Sequence, residues 1–289
     1  MKYRVEHTTT FTYAKPVELA SHMLHLLPRE LPHQQIIDSE LIADPWAGRR
    51  SDAVDHFGNL VSWLFLERQH GRFSVTLRAV VEVGFPPPPD PGTTPAWEDV
   101  AAARNGGPLY WQAAEFVFQS PMVAADADVA AYAAHSFPAG RQVLVGVLDL
   151  LDRIRADFRF QAGVTTIATP VGKVLAQKAG VCQDFSHLMI SGLRSLGIPA
   201  RYVSGYIRTR PPAGRERRRG ADQSHAWVGV WLGPEHGWVD VDPTNNLVVR
   251  DEHVVLGWGR DYGDLSPVRG IILGGGKHGL HVSVDLQEV

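Results

Sequence analysis

Residues 180–206 read GVCQDFSHLMISGLRSLGIPARYVSGY, and residues 224–246 read SHAWVGVWLGPEHGWVDVDPTNN. In the first stretch, Gly180 and Val181 precede Cys182. Phe185, Leu188, Met189, Leu193 and Leu196 then fall on one stripe at helical spacing. Gly197 and Pro199 end that helix, and Ala200–Ile207 follows as a strand. The second stretch reads as a hairpin, with strands over 225–232 and 238–242 joined by Gly-Pro-Glu-His-Gly. A cysteine-led helix beside antiparallel strands is the expected nucleus of the fold.

Cys182 is the only cysteine in 289 residues. At a helix start, free N–H groups and the positive end of the dipole stabilise a thiolate, lowering a thiol pKa from about 8.5 towards neutrality. A lone cysteine is also commonly a small buried hydrophobe, and before a partner is found both readings stand. Cys182 does lead its stripe from the polar end rather than sit inside it. His225 heads one hairpin strand and Asp242 ends the next. With 225 opposite 242, both side chains share a face and Gly229 lies across from Trp238. The imidazole then meets Cys182 with one nitrogen and Asp242 with the other, as nucleophile–base–orienter sets require. The pattern does not fix this register, since a slip of one residue moves Asp242 to the opposite face. Asp240 ranks behind Asp242.

The helix-leading Gly-Val-Cys, the strand-leading His-Ala-Trp-Val and the strand-closing Asp-Pro-Thr-Asn occur in that order, within residues 165–246. Together they resemble the transglutaminase-like superfamily of papain-type cysteine enzymes. The N-terminal β region, GWGRDYGDLSPVRG (257–270) and GGGKHGLHVSVDL (274–286) are further similar to bacterial members that carry a transglutaminase-type N-terminal region. The resemblance implies an α+β fold, with a papain-like core behind an N-terminal antiparallel β domain. It places the nucleophile on Cys182, the general base on His225 and the orienting carboxylate on Asp242. The implied chemistry is acyl transfer at an amide, by hydrolysis or transamidation, on a peptide or protein substrate and without a cofactor. One oxyanion donor falls on the Cys182 N–H, and the second is unassigned. The superfamily also includes members that use the fold only for protein contacts, so a catalytically silent binding module is the rival reading.

Around these blocks the chain divides at changes of hydrophobic period. Residues 1–84 alternate with period two, over Tyr3–Tyr13 and Phe73–Val83, and read as an antiparallel β domain. FPPPPDPGTTP (85–95) cannot donate ladder hydrogen bonds and opens a linker and helical region over 85–160. That region includes an alanine-rich helix near 123–135 and an amphipathic helix from Val143 to Phe158. Residues 161–289 are assigned to the catalytic core with its C-terminal strands, the last over Leu280–Leu286. Thr169-Pro170 reads as a helix start, with Gly180 as the stop of that helix.

The formal net charge of −3 suggests neither nucleic acid nor an anionic membrane as partner. One cysteine, no apolar signal core and no long apolar run lead to an expected cytoplasmic location. A Cys182/His187/His225 metal site lacks the paired spacing of zinc ligands, and no acidic run resembles a calcium loop. No metal is expected. Asp184 and His187 are read as capping and packing residues. RTRPPAGRERRRG (208–220), with six arginines, is read as a solvated loop, with a lid for acidic substrates as the sharper alternative. Arg260 and Asp261 either border the cleft or pin a loop.

Overall fold

The computed structural model describes residues 1–102, 111–208 and 223–289. The N-terminal strands are β1 (Lys2–Leu24), β2 (Gln34–Asp44), β3 (Arg49–Val54), β4 (Leu60–Leu66) and β5 (His70–Val83). They form an antiparallel sheet in the order β2-β5-β1-β4-β3. β1 is 23 residues long and runs past Pro16, where its ladder with β5 shifts between Thr12 and Val17. Proline's missing donor explains an interruption there rather than a strand end.

Among the described residues the helices that follow are α1 (Trp97–Ala102), α2 (Trp111–Ala114), α3 (Ala127–Ala134), α4 (Val143–Asp157), α5 (Val171–Gln177) and α6 (Cys182–Ser195). Two short strands, β6 (Arg159–Phe160) and β7 (Ala179–Gly180), pair in parallel beside them. α5 ends on Lys178 in the left-handed conformation (φ 52°), not on the expected glycine stop. Gly180 has a different task. A Cβ there would lie 2.7 Å from the Asp184 carboxylate, so glycine lets that side chain fold back over the start of α6.

The second sheet holds β8 (Ala200–Ile207), β9 (Gln223–Trp231), β10 (Trp238–Asp242), β11 (Leu247–Val248) and β12 (His253–Gly259), in the order β11-β10-β9-β8-β12. One face buries Ala200, Tyr202, Ala226, Val228, Val230 and Val241 against Phe185, Leu188, Met189 and Leu193 of α6, with α4 completing this core. From the same sheet Tyr206, Val254 and Leu256 join the core of the N-terminal sheet with Tyr3, Val5 and Val81. The layers are therefore helices, core sheet and N-terminal sheet.

One assignment is corrected. β13 (Val268–Gly274) and β14 (His278–Glu288), grouped on sequence with the core, both pair with β1. Both complete the N-terminal sheet, and three consecutive left-handed glycines, 274–276, turn the chain between them. The fold is α+β, with strand outweighing helix. Among the described residues no helix is long and apolar enough to cross a membrane.

Candidate active site

Cys182 is the first residue of α6, and the extended Val181 precedes it. The Asp184 carboxylate accepts from the Val181 N–H at 2.8 Å and from the Thr165 hydroxyl at 2.6 Å, which fixes the entry into the helix. Asp184 thus caps, as expected. His187, also read as a packing residue, accepts the Tyr262 N–H on Nε2 at 3.1 Å. Burial holds the His187 imidazole down to about 4, against a raising influence from Asp261.

His225 lies on β9 and is buried, and its Nε2 is 2.7 Å from Oδ2 of Asp242 on β10. Cys182 lines the same cleft as His225. Burial alone would lower the basicity of His225, but Asp242 and Cys182 override it and push the group up to about 10. Asp242 is fully buried. Its Oδ1 accepts from the N–H groups of Thr244 and Asn245, and its Oδ2 also accepts from Asn245 Nδ2 at 2.6 Å. Burial would raise its pKa, yet His225, His253 and the Asn245 side chain hold it well below the ordinary carboxylate range.

The hairpin register differs from the expected one. Asp240 stands opposite Gly229 and Val241 opposite Val228, so Trp238 faces Trp231 rather than Gly229. The difference is two residues, and an even slip preserves the face. Asp242 therefore still reaches His225, diagonally. The space at Gly229 serves Arg201 and Asp240, because a Cβ there would lie 2.7 Å from Arg201 Nε and 2.9 Å from Asp240 Oδ1. Asp240 accepts from Trp227 Nε1 at 2.9 Å and lies 3.8 Å from Arg201. It supports the sheet and does not meet His225.

Two nearby residues escaped the sequence reading. His253, at the head of β12, is buried with Nε2 3.3 Å from the same Oδ2 of Asp242. Its only sequence signal is a histidine leading an apolar strand. The donor atoms of His225, Asp242 and His253 lie within 4.8 Å of one another, so these are the residues placed to hold a cation. Instead, both imidazoles are directed at the carboxylate oxygen. The Cys182/His187/His225 alternative is not assembled, since His187 is engaged by Tyr262. Tyr262, in a short 3-10 turn, lines the cleft beside Cys182. Its neighbours pin that turn: Arg260 pairs with Asp264 at 2.9 Å, and Asp261 accepts from the Met122 and Gly263 N–H groups.

Cys182 and His225 open onto a cleft of about 500 Å³. A larger cavity of about 690 Å³, walled by Pro86–Pro89, Trp238 and Trp258, contains neither. Most of the arginine-rich segment lies outside the described residues; its first arginine, Arg208, pairs with Glu288.

Comparison with known proteins agrees with this architecture. Residues 3–82 match the bacterial transglutaminase-like N-terminal region, and residues 141–243 match the transglutaminase-like superfamily. An uncharacterised protein of Mycobacterium tuberculosis is 39% identical over 290 residues, covering 99% of this chain and 92% of its own length. A protein-glutamine gamma-glutamyltransferase of Pseudomonas aeruginosa is 43% identical over 68 residues, 23% of this chain and 10% of that one. In fold, the chain is similar to a crystal structure from Cytophaga hutchinsonii, provisionally named a cysteine protease, with a TM-score of 0.74 at 22% identity. That likeness covers 100% of this chain and 91% of the other. With both regions matched in order and the whole length shared with a close relative, the chain belongs to the transglutaminase-like superfamily, as a bacterial-type member with its own N-terminal region.

Proposed function

We propose that the protein is a cysteine-dependent amide hydrolase or acyl transferase in which Cys182 is the nucleophile, His225 the acid–base and Asp242 the orienting carboxylate. The observation that supports this reading is the cleft lined by both Cys182 and His225, with His225 joined to a buried aspartate at 2.7 Å. An imidazole held in this way can take the proton of the thiol and deliver it where it is needed.

In the forward step the Cys182 sulfur bonds to the amide carbon, and negative charge passes to the carbonyl oxygen. The Cys182 backbone N–H, at the start of α6, supports that oxygen. The C–N bond breaks, His225 gives its proton to the departing amine, and a thioester remains. Water or a second amine then attacks with its proton passing to His225, and the thiol is regenerated. Local likeness to a protein-glutamine gamma-glutamyltransferase supports a glutamine-type carboxamide among the amides attacked. A thiol that must stay reduced suits a cytoplasmic setting.

Iodoacetamide tests this reading. Cys182 should be alkylated near neutral pH much faster than free cysteine, and His225→Ala should slow the reaction to the free-cysteine rate. A slow reaction indifferent to His225 would instead identify a silent binding module. Peptide amides incubated with wild type and Cys182→Ala, with and without an added primary amine, then separate hydrolysis from transamidation.

A further inference from the structure

The cleft has two walls of different origin. One holds Cys182, Gln183, His225 and Tyr262 from the core. The other comes from the N-terminal sheet, through His7, Thr9 and Phe11 of β1 and Val284, Val282 and Leu280 of β14. These six are cross-strand partners in the order His7↔Val284, Thr9↔Val282, Phe11↔Leu280. Spaced by two along each strand, they share one face of the sheet.

Along that face the cover thins. Val284 is 1% exposed and packs into the core, whereas Val282 is 45% exposed and Leu280 is 61% exposed. The sheet face that docks against the core thus continues beyond it and overhangs the cleft. Alternating apolar residues are normally spent on buried contacts, so large aliphatics left on the same face beside a nucleophile mark a surface awaiting an apolar partner. The charge pattern agrees. No aspartate, glutamate, lysine or arginine lines this cleft among the described residues. Burial holds His7 down to about 4, so it is neutral at physiological pH. A charged substrate group brought against Phe11, Val282 and Leu280 would lose water and gain no counter-ion.

We infer that this overhang, built from Phe11, Val282 and Leu280, is the specificity surface of the cleft and seats a large apolar side chain flanking the carbonyl that Cys182 attacks. The substrate class is a peptide or protein amide with a leucine- or phenylalanine-like residue next to the reacting group. Among the described residues that wall offers an acidic side chain no lysine or arginine. The inference rests on the reading of Cys182 as the nucleophile.

Its test needs no knowledge of the natural substrate. The full chain is alkylated at Cys182 with three haloacetamides: iodoacetamide, its N-benzyl derivative and its N-carboxymethyl derivative. Each rate is divided by that reagent's rate with free cysteine and then by the iodoacetamide rate of the same protein. The benzyl reagent should be favoured over the carboxymethyl one by on the order of tenfold or more, the discrimination that one apolar pocket supplies. Leu280→Lys and Val282→Lys, at positions already exposed, should each bring the two reagents towards parity. Equal rates in the wild type, a preference for the carboxymethyl reagent, or a benzyl preference unmoved by both variants overturns the inference. The nucleophile reading fails separately, by loss of the His225 dependence of the iodoacetamide rate alone.

Discussion

His225 and Asp242 are joined at 2.7 Å across neighbouring strands without standing opposite each other, because the ladder pairs Val241 with Val228. The bond is diagonal, and the carboxylate is held for it by backbone N–H groups of the turn that follows β10. The orientation of the imidazole therefore depends on the Asp242–Asn245 turn as much as on the sheet.

Replacing Asp242 by asparagine removes the charge that raises His225. The imidazole should fall from about 10 towards its ordinary range near 6.5. NMR titration of His225 in the two proteins measures this directly. Turnover of any amide substrate should fall by roughly 10²-fold or more, the range that general acid–base groups supply.

His253 is a positioning residue for Asp242. His253→Phe removes one donor from Oδ2, so Asp242 should become less acidic and that oxygen should bind His225 more strongly, moving His225 opposite to its change in Asp242→Asn. A pH profile of Cys182 alkylation whose limb moves in opposite directions in the two variants supports the role. A loss of stability with an unmoved profile would reduce His253 to packing.

Stability should peak near pH 6.5. His7, His22 and His187 are each held near 4, chiefly by burial, so they fold neutral. Their contribution is complete above their unfolded value of 6.5 and is lost as pH falls towards 4, when the unfolded chain binds protons that the folded one refuses. His225 has the opposite sign. Its contribution is complete below 6.5 and is lost as pH rises towards about 10. Thermal melts across pH 4–10 should show both limbs, and Asp242→Asn should flatten only the alkaline one.

Gly229→Ala should destabilise the core by about 1–3 kcal/mol, as overpacking does, since the new methyl meets Arg201 and Asp240 rather than open space. Urea unfolding with a lowered midpoint and an unchanged slope would show it. A neutral result would mean that Arg201 moves aside freely.

The cysteine-led helix and the hairpin that carries His225 and Asp242 were legible because each is written in local pattern: a stripe, an alternation, a turn. Register was not, since Gly229 offers space to an indole or a guanidinium alike, and only the packed neighbours decide. Face survived because the slip was even. His253 meets Asp242, and Tyr262 the cleft, through contacts between segments distant in sequence, Tyr262 through His187 on α6. The pairing of β14 with β1 joins opposite ends of the sequence, and period-two alternation says that a strand exists without saying which neighbour it takes.

That last pairing sets an order of assembly. On the ribosome, β1 can zip to β5 as soon as residues 70–83 emerge, but its other edge, Tyr3–Tyr13, meets β14 only after the whole core has been made. Throughout that interval the nascent chain carries an unpaired strand edge, the kind of surface that seeds association between unfinished chains. The same delay leaves Cys182 without its overhanging second wall until residues 278–288 arrive. Cys182 is thus kept from its complete cleft until synthesis has passed that strand.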